Sequence, residues 1–358
     1  MDNFNKEILM SKKELSNKIT VISIIMAYLV VQLHAYNITV YSLDGESGNR
    51  FVVILENFVD KVCKLAVPMF FLISGYLFFR DYELKDTIRK WKTRLKTIVL
   101  PWILWGILYW IYFLVINNIM GENFVDNVSF SLKSFFDNVI AHENTIFWYM
   151  QTTVFFVMLA PLIYVVVRNT KSFPVGSITI IIVLFLCTVG VIPDQIRCFG
   201  DDIINYLPSK NYNIGYFMMG AYIGVNYKEI IKKKNKNLAI FCCIGLAVCI
   251  ILLQFVHQIG FMNMISCIFL WYALDLFKFD KELPWYMHIS FFVYCAHIAI
   301  LNVIERVIVI FAGKNSVIWA LLDFIFAPML TFVIVFFIAY VMRRFTPRIW
   351  SVLNGGRG

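Results

Sequence analysis

Two histidines of this 358-residue chain stand inside strongly apolar stretches, His34 in VVQLHAYN and His297 in SFFVYCAHIAI. An ionisable side chain surrounded by hydrocarbon is costly and usually faces a partner or a water-filled cavity, so chemistry is expected at such positions. A neutral imidazole, whose pKa lies near working pH, can act as a general base toward a hydroxyl. Two blander readings stand beside that one: His34 as an interfacial residue at the outer end of a helix, and His297 as a hydrogen-bonded structural histidine between helices. Glu305 falls two turns beyond His297 and close to the same helical face, where it could orient a substrate or simply end the helix. Asp323 and Lys64 are embedded as well, and either could be a member of a structural ion pair. His142, His257 and His288 fall at loops or helix ends and carry little weight.

A second group is basic. The amphipathic segment RDYELKDTIRKWKTRLKTIVLPW, residues 80–102, brings Lys92, Arg94 and Lys96 to the threshold of an apolar run. An anion carrying several phosphates could dock there through charge-assisted hydrogen bonds. A positive cytoplasmic loop lying on anionic lipid would explain the same charge. Upstream, VPMFFLISGYLFF at 67–79 carries Pro68 and the pair Ser74–Gly75, which predict a kinked or thinned helix able to admit a ligand or a neighbour. Trp148 in TIFWYM, with Tyr149, Tyr216 and Tyr222, suits stacking on sugar rings, although aromatic residues crowd membrane interfaces in general.

Other chemistries lack a foothold. The sequence has no P-loop, GxGxxG or CxxC. Most of its eight cysteines lie in apolar runs, where Cys behaves as a small hydrophobe; Cys63 and Cys198 are expected near the outer face. No metal site is expected. Gly220 and Gly224 in GAYIG have the spacing that lets membrane helices approach closely, and read as helix packing.

What must position these residues is a bilayer. Hydrophobic residues make up 60% of the chain, against the usual ~45–50%, and charged residues only 15%. Mean hydropathy is +0.73. Disorder, a soluble helical repeat and a disulfide-stapled secreted fold are excluded. At roughly 20 apolar residues per crossing, ten spans are expected, at 19–41, 59–80, 98–119, 146–168, 174–193, 212–227, 238–257, 259–277, 289–311 and 316–342. Alternate loops then hold 24 basic residues on one side and five on the other, with Lys61, Lys64 and Arg306 inside spans. Lysine and arginine collect on the cytoplasmic side, so both termini are expected there, Lys6, Lys12, Lys13 and Lys18 lying in the N-terminal loop. The net charge of +9 is therefore topological, and no nucleic-acid partner is needed. The expected fold is all-α, a single membrane domain over 1–358. It comprises a polar segment 1–18, a retained rather than cleaved first helix, a ten-helix core over 19–342 and a tail at 343–358.

Taken in order, late His34 in the first span, PMFFLISGYLF at 68–78, TRLKTIVLPW at 93–102, TIFWYM at 145–150, GYFMMGAYIG at 215–224 and SFFVYCAH at 290–297 resemble the acyltransferase-3 family of integral membrane O-acyltransferases. The resemblance runs over nearly the whole chain, and the family core likewise has ten spans with both termini inside. It implies a multi-pass protein of the cell membrane that moves an acyl group, acetyl in the first instance, from cytoplasmic acyl-CoA to a hydroxyl of a surface or lipid-linked glycan. His34 would be the catalytic histidine. Arg94, with Lys92 and Lys96, would hold the phosphates of acyl-CoA, which is a co-substrate rather than a tightly bound cofactor. His297, Glu305, Ser74 and Trp148 would line the tunnel or touch substrate. Glycosyltransferases or a polymerase of a surface-polysaccharide pathway are the partners implied. Two positions depart from the pattern: the family usually has arginines where Ser23 and Thr97 stand. Exporter-type members of the family make polysaccharide export, or transport of a small solute, the alternative.

Overall fold

The computed structural model describes residues 8–9, 11–35, 47–120, 125–141, 145–168, 175–188, 210–226, 233–255, 259–313 and 316–357. His142, His257 and Cys198 lie outside them. The described residues are essentially all helical; one two-residue antiparallel pairing joins Ile8–Leu9 to Lys233–Lys234. In chain order the helices are α1 (Lys12–His34), α2 (Ser47–Cys63), α3 (Ala66–Phe79), α4 (Thr87–Arg94), α5 (Leu100–Met120), α6 (Leu132–Val139), α7 (Trp148–Met158) and α8 (Ala160–Val167). They continue with α9 (Val175–Thr188), α10 (Ile214–Val225), α11 (Lys236–Leu253), α12 (Ile259–Ala273), α13 (Ser290–Ala312), α14 (Val317–Phe345) and α15 (Pro347–Leu353).

This is a membrane protein, and its helices show why. Along α14 the buried residues are Ala320, Asp323, Phe324, Ala327, Pro328, Thr331, Val335 and Ala339, most of them small or polar, while Ile318, Val333 and Phe337 are exposed. Small and polar residues turned inward, with bulky apolar ones outward, is the pattern of helices whose surroundings are lipid. Among the described residues, six helices are long and apolar enough to cross a bilayer, or seven if the bent pair α7–α8 is one crossing. The three other expected spans, 174–193, 212–227 and 259–277, correspond to α9, α10 and α12, which fall below crossing length among the described residues, α12 having 15 residues. Helices α9 and α10 have 14 and 12 residues, about 21 and 18 Å at 1.5 Å per residue, against a core of about 30 Å.

The described residues form two compact units, 1–73 with 226–341 and 74–225 with 342–358. In the first, α1 starts earlier than expected because Ser11 and Glu14 build a capping box: the Ser11 amide donates to Glu14 Oε2 at 2.9 Å, and the Glu14 amide to Ser11 Oγ at 3.1 Å. Lys18 therefore belongs to the helix and not to a loop. Its side chain is buried, with Nζ 2.6 Å from Asp275 Oδ1 and 4.9 Å from the centre of the Trp271 ring. Asn17 Nδ2 donates to the carbonyls of Phe279 and Lys281 at 2.8 and 2.7 Å. These contacts fix the height of α1 against residues 275–281. Lys64, expected to be embedded, sits instead in the turn after α2, half exposed and paired with Asp60 at 2.6 Å. Cys63, expected near the outer face where it could be exposed, is fully buried.

In the second unit the close approach of α3 and α10 is set by glycine. A Cβ on Gly75 would fall 2.1 Å from the Phe217 carbonyl oxygen, and one on Gly224 would fall 2.8 Å from that of Tyr76. Gly224 thus packs as the GAYIG spacing predicts. The chain around Pro68 differs from the expected kink: the break falls at Lys64–Leu65, ahead of the proline, which occupies the first turn of α3 where its missing N–H does no harm. After α3, Lys90 Nζ reaches back to the carbonyls of Phe78 and Arg80 at 2.5 and 3.0 Å, satisfying acceptors at the helix end. Between α4 and α5, residues Leu95–Val99 form a π-helical turn. Pro101 has no N–H to offer the carbonyl four residues back, so the helix loosens there instead of continuing tightly.

Candidate functional site

In the first unit His34 and His297 come together. The rings are stacked, with centroids 5.2 Å apart and planes 15° from parallel. Distances counted from expected span starts put the two at different depths, about 22 and 12 Å. The structure makes them level, because α1 begins at Lys12 and runs well below the start of α13. His34 is the last residue of α1, and His297 is fully buried one-third of the way along α13.

Three contacts position the pair. His297 Nδ1 lies 2.8 Å from the Tyr294 carbonyl and 3.1 Å from that of Val293. A carbonyl can only accept, so Nδ1 carries the hydrogen and Nε2 of the neutral ring holds a lone pair. Nε2 is buried without a hydrogen-bond partner among the described residues. Two residues before His34, the Gln32 amide donates to the Phe324 carbonyl at 2.9 Å. That carbonyl is the one Pro328, inside α14, cannot bond. Ala35 then packs with Leu301, Ile304 and Ala327. The end of α1 is thereby held between α13 and α14.

Glu305 is buried two turns beyond His297, in Coulombic reach of Asp323 on α14 and Glu56 on α2. Asp323 is fully buried, as its embedded position predicts. Glu56 was not singled out in the sequence, because it precedes the expected start of the second span. The signal was there: in FVVILENFV it shares a helical face with Val52, and both are fully buried. Among the described residues no group of three or more His, Cys, Asp or Glu is placed to hold a metal ion. Arg306 is exposed.

The second unit holds the basic and aromatic candidates. Ser74 Oγ is hydrogen-bonded to the Tyr149 hydroxyl at 2.8 Å. Lys210 Nζ lies 4.0 Å over the ring of Trp148, at the start of α7. Trp148 therefore meets a cation, the use an indole face serves best. Helical spacing separates the basic residues expected to act together, since Lys92 and Lys96 stand one turn apart and Arg94 is two residues from each. Lys92 and Lys96, with Ile88, Arg89 and Thr93, line an open groove of about 440 Å³. Arg94 turns away from that groove, its guanidinium 5.7 Å from the Phe78 ring centre and in Coulombic reach of Tyr149 and Arg357. Arg357 carries no sequence signal, since nothing in a short tail indicates which helix it meets.

A stacked imidazole pair in one unit and a set of basic residues in the other are carried on the apolar helices of a membrane protein. The chain matches the acyltransferase-3 family, described as an acyltransferase domain, over residues 18–344, and it belongs to that family. Curated relatives include the probable poly-beta-1,6-N-acetyl-D-glucosamine export proteins of Staphylococcus aureus strains MRSA252 and MSSA476. They are 25% and 24% identical over 233 residues, covering 63% of this chain and 61% of each relative. The chain thus spans about three-fifths of the length of those relatives. No solved structure matches.

Proposed function

We propose that the protein transfers an acyl group, acetyl in the first instance, from acyl-CoA to a hydroxyl of a surface or lipid-linked glycan. The carrying observation is the stacked pair His34–His297 at the end of α1. His34 takes the proton from the acceptor hydroxyl as that oxygen attacks the thioester carbonyl. The C–S bond breaks, and the proton passes to the departing CoA thiolate. His297 holds the first ring in place, its own tautomer set by the carbonyls of Val293 and Tyr294. Arg94 binds the donor's phosphates, with Lys92 and Lys96 raising the local positive potential. Glu305 and Trp148 serve the acceptor side, a carboxylate for sugar hydroxyls and an indole for a sugar face. Ten spans with both termini in the cytoplasm would present the donor site to the acyl-CoA pool. The lipid bilayer and the enzymes that build the glycan are its partners.

The test is transfer of label from acetyl-CoA to carbohydrate by membranes containing the protein. His34→Ala is expected to abolish it, a loss of about 10²–10⁴-fold for removal of a general base. Undiminished transfer by that variant would exclude the mechanism.

A second reading is export of polysaccharide through the same helices, favoured by the name of the Staphylococcus aureus relatives. Glycan accumulation in vesicles without any acyl donor supports export. A strict requirement for acyl-CoA excludes it.

A further inference from the structure

Residues 354–357 are folded back against the π turn. Helix α15 is docked by Trp105, whose Nε1 donates to the Leu353 carbonyl at 3.0 Å, and by the burial of Trp350 and Leu353. The chain then reverses through Gly355 and Gly356, both left-handed with φ of 64° and 71°, a conformation glycine adopts freely. The reversal is tied by the Gly356 amide on the Ser351 carbonyl at 2.7 Å and by Asn354, fully buried, whose Nδ2 donates to the Arg357 carbonyl. Its outcome is specific. A Cβ on Gly356 would lie 3.8 Å from Thr97 Cγ2, so Arg357 emerges beside Thr97.

Three features meet there. Arg94 and Arg357 are close enough for their charges to interact, and both act on Tyr149. None of the ion pairs among the described residues includes Arg94. Thr97 Oγ1 is buried with no hydrogen-bond partner among the described residues. A guanidinium drawn out of bulk water without an ion-pair partner, as Arg94 is among the described residues, is costly, and so is a buried hydroxyl without a partner. An anion with several oxygens answers both, accepting from forked guanidinium groups and from the hydroxyl. The π turn that carries Thr97 is a local irregularity often found at functional sites.

We propose that Arg357 joins Arg94 and Thr97 in one phosphate-binding site, the segment after α15 supplying the guanidinium that position 97 lacks. The ligand class is a pyrophosphate-containing donor. The inference rests on acyl-CoA being that donor and adds to it a residue some 260 positions away in sequence.

The experiment measures binding of free CoA to the full-length detergent-solubilised protein by calorimetry, so no acyl transfer is needed. Wild type is expected to bind, Arg357→Ala and Arg94→Ala each to weaken binding about tenfold, and Arg357→Lys to fall between. Placing the guanidinium in cis, Thr97→Arg in the Arg357→Ala background, is expected to recover wild-type affinity to within about threefold. Absence of CoA binding by wild type overturns the donor reading and this inference together. Wild-type affinity in Arg357→Ala overturns this inference alone. Weakened binding with a lowered unfolding temperature, and no recovery in the double variant, makes Arg357 a packing residue and overturns it too.

Discussion

The side-chain amide of Gln32 donates to the carbonyl of Phe324, the acceptor that Pro328 leaves open inside α14. The same device recurs in the other unit. Trp91 Nε1 donates at 2.8 Å to the carbonyl of Val157, four residues before Pro161, where α7 and α8 meet at 66°. In lipid no water satisfies a carbonyl freed by proline, so a neighbouring helix must do so. The donor helix thereby becomes located. At Gln32 it is α1, and the residue located two positions on is His34.

Gln32→Leu is expected to destabilise the protein by about 1–2 kcal/mol, the cost of a buried acceptor left open. Pro328→Ala supplies the missing backbone N–H. In that background the Gln32→Leu cost should shrink by about 0.5–1.5 kcal/mol, as a double-mutant cycle on detergent unfolding would read. Simple additivity would show that the amide and the proline are independent.

His297→Phe keeps a flat ring over His34 and removes both ring nitrogens. The turnover number is expected to fall about 10²-fold with the donor KM unchanged, because the lost group orients or receives a proton and does not bind donor. Steady-state kinetics against acetyl-CoA decides it. An unchanged turnover number would reduce His297 to a packing residue.

Gly75→Ala must push α3 away from α10, since the new methyl would meet backbone at 2.1 Å. A destabilisation of roughly 2–3 kcal/mol is expected. Gly106→Ala meets Val139 at 3.0 Å at its nearest, a side-chain methyl, and should cost less. The order of the two unfolding temperatures is the check.

Lys18→Ala leaves the Asp275 carboxylate, 7% exposed, without its lysine. Loss of one partner of a buried pair costs about 3–5 kcal/mol, whereas replacing both by apolar residues is often nearly neutral. Lys18→Met is therefore expected to lower folded yield sharply, and Lys18→Met with Asp275→Leu to recover most of it. Equal losses in both would refute the pairing.

The apolar runs, the embedded histidines and the packing glycine Gly224 were legible in the sequence, because each is a local statement about one helix and its solvent. What escaped was joint. Lys18 reads as a loop cation until Asp275, 257 residues on, arrives beside it. The depths of His34 and His297 could not be compared, since a capping box set the start of one helix and nothing comparable set the other. Lys92, Arg94 and Lys96 look like one cluster by composition, but residues two apart on a helix do not share a face, and Arg94 meets Phe78 while the two lysines line the groove. Arg357 lies beside Thr97 only through two glycines in a conformation that sequence permits but does not require.

The turn at 95–99 is, in effect, one residue more than a regular helix would hold over the same rise. Deleting a single residue from it would leave hydropathy, net charge and span length almost untouched. Everything on the α4 side would nevertheless rotate by about 100° around the axis of α5. Arg94 would swing off Phe78 and one of the groove lysines would take its bearing. A basic cluster of unchanged composition would then address the wrong side of the helix, so the chain carries the bearing of its cations partly as a phase.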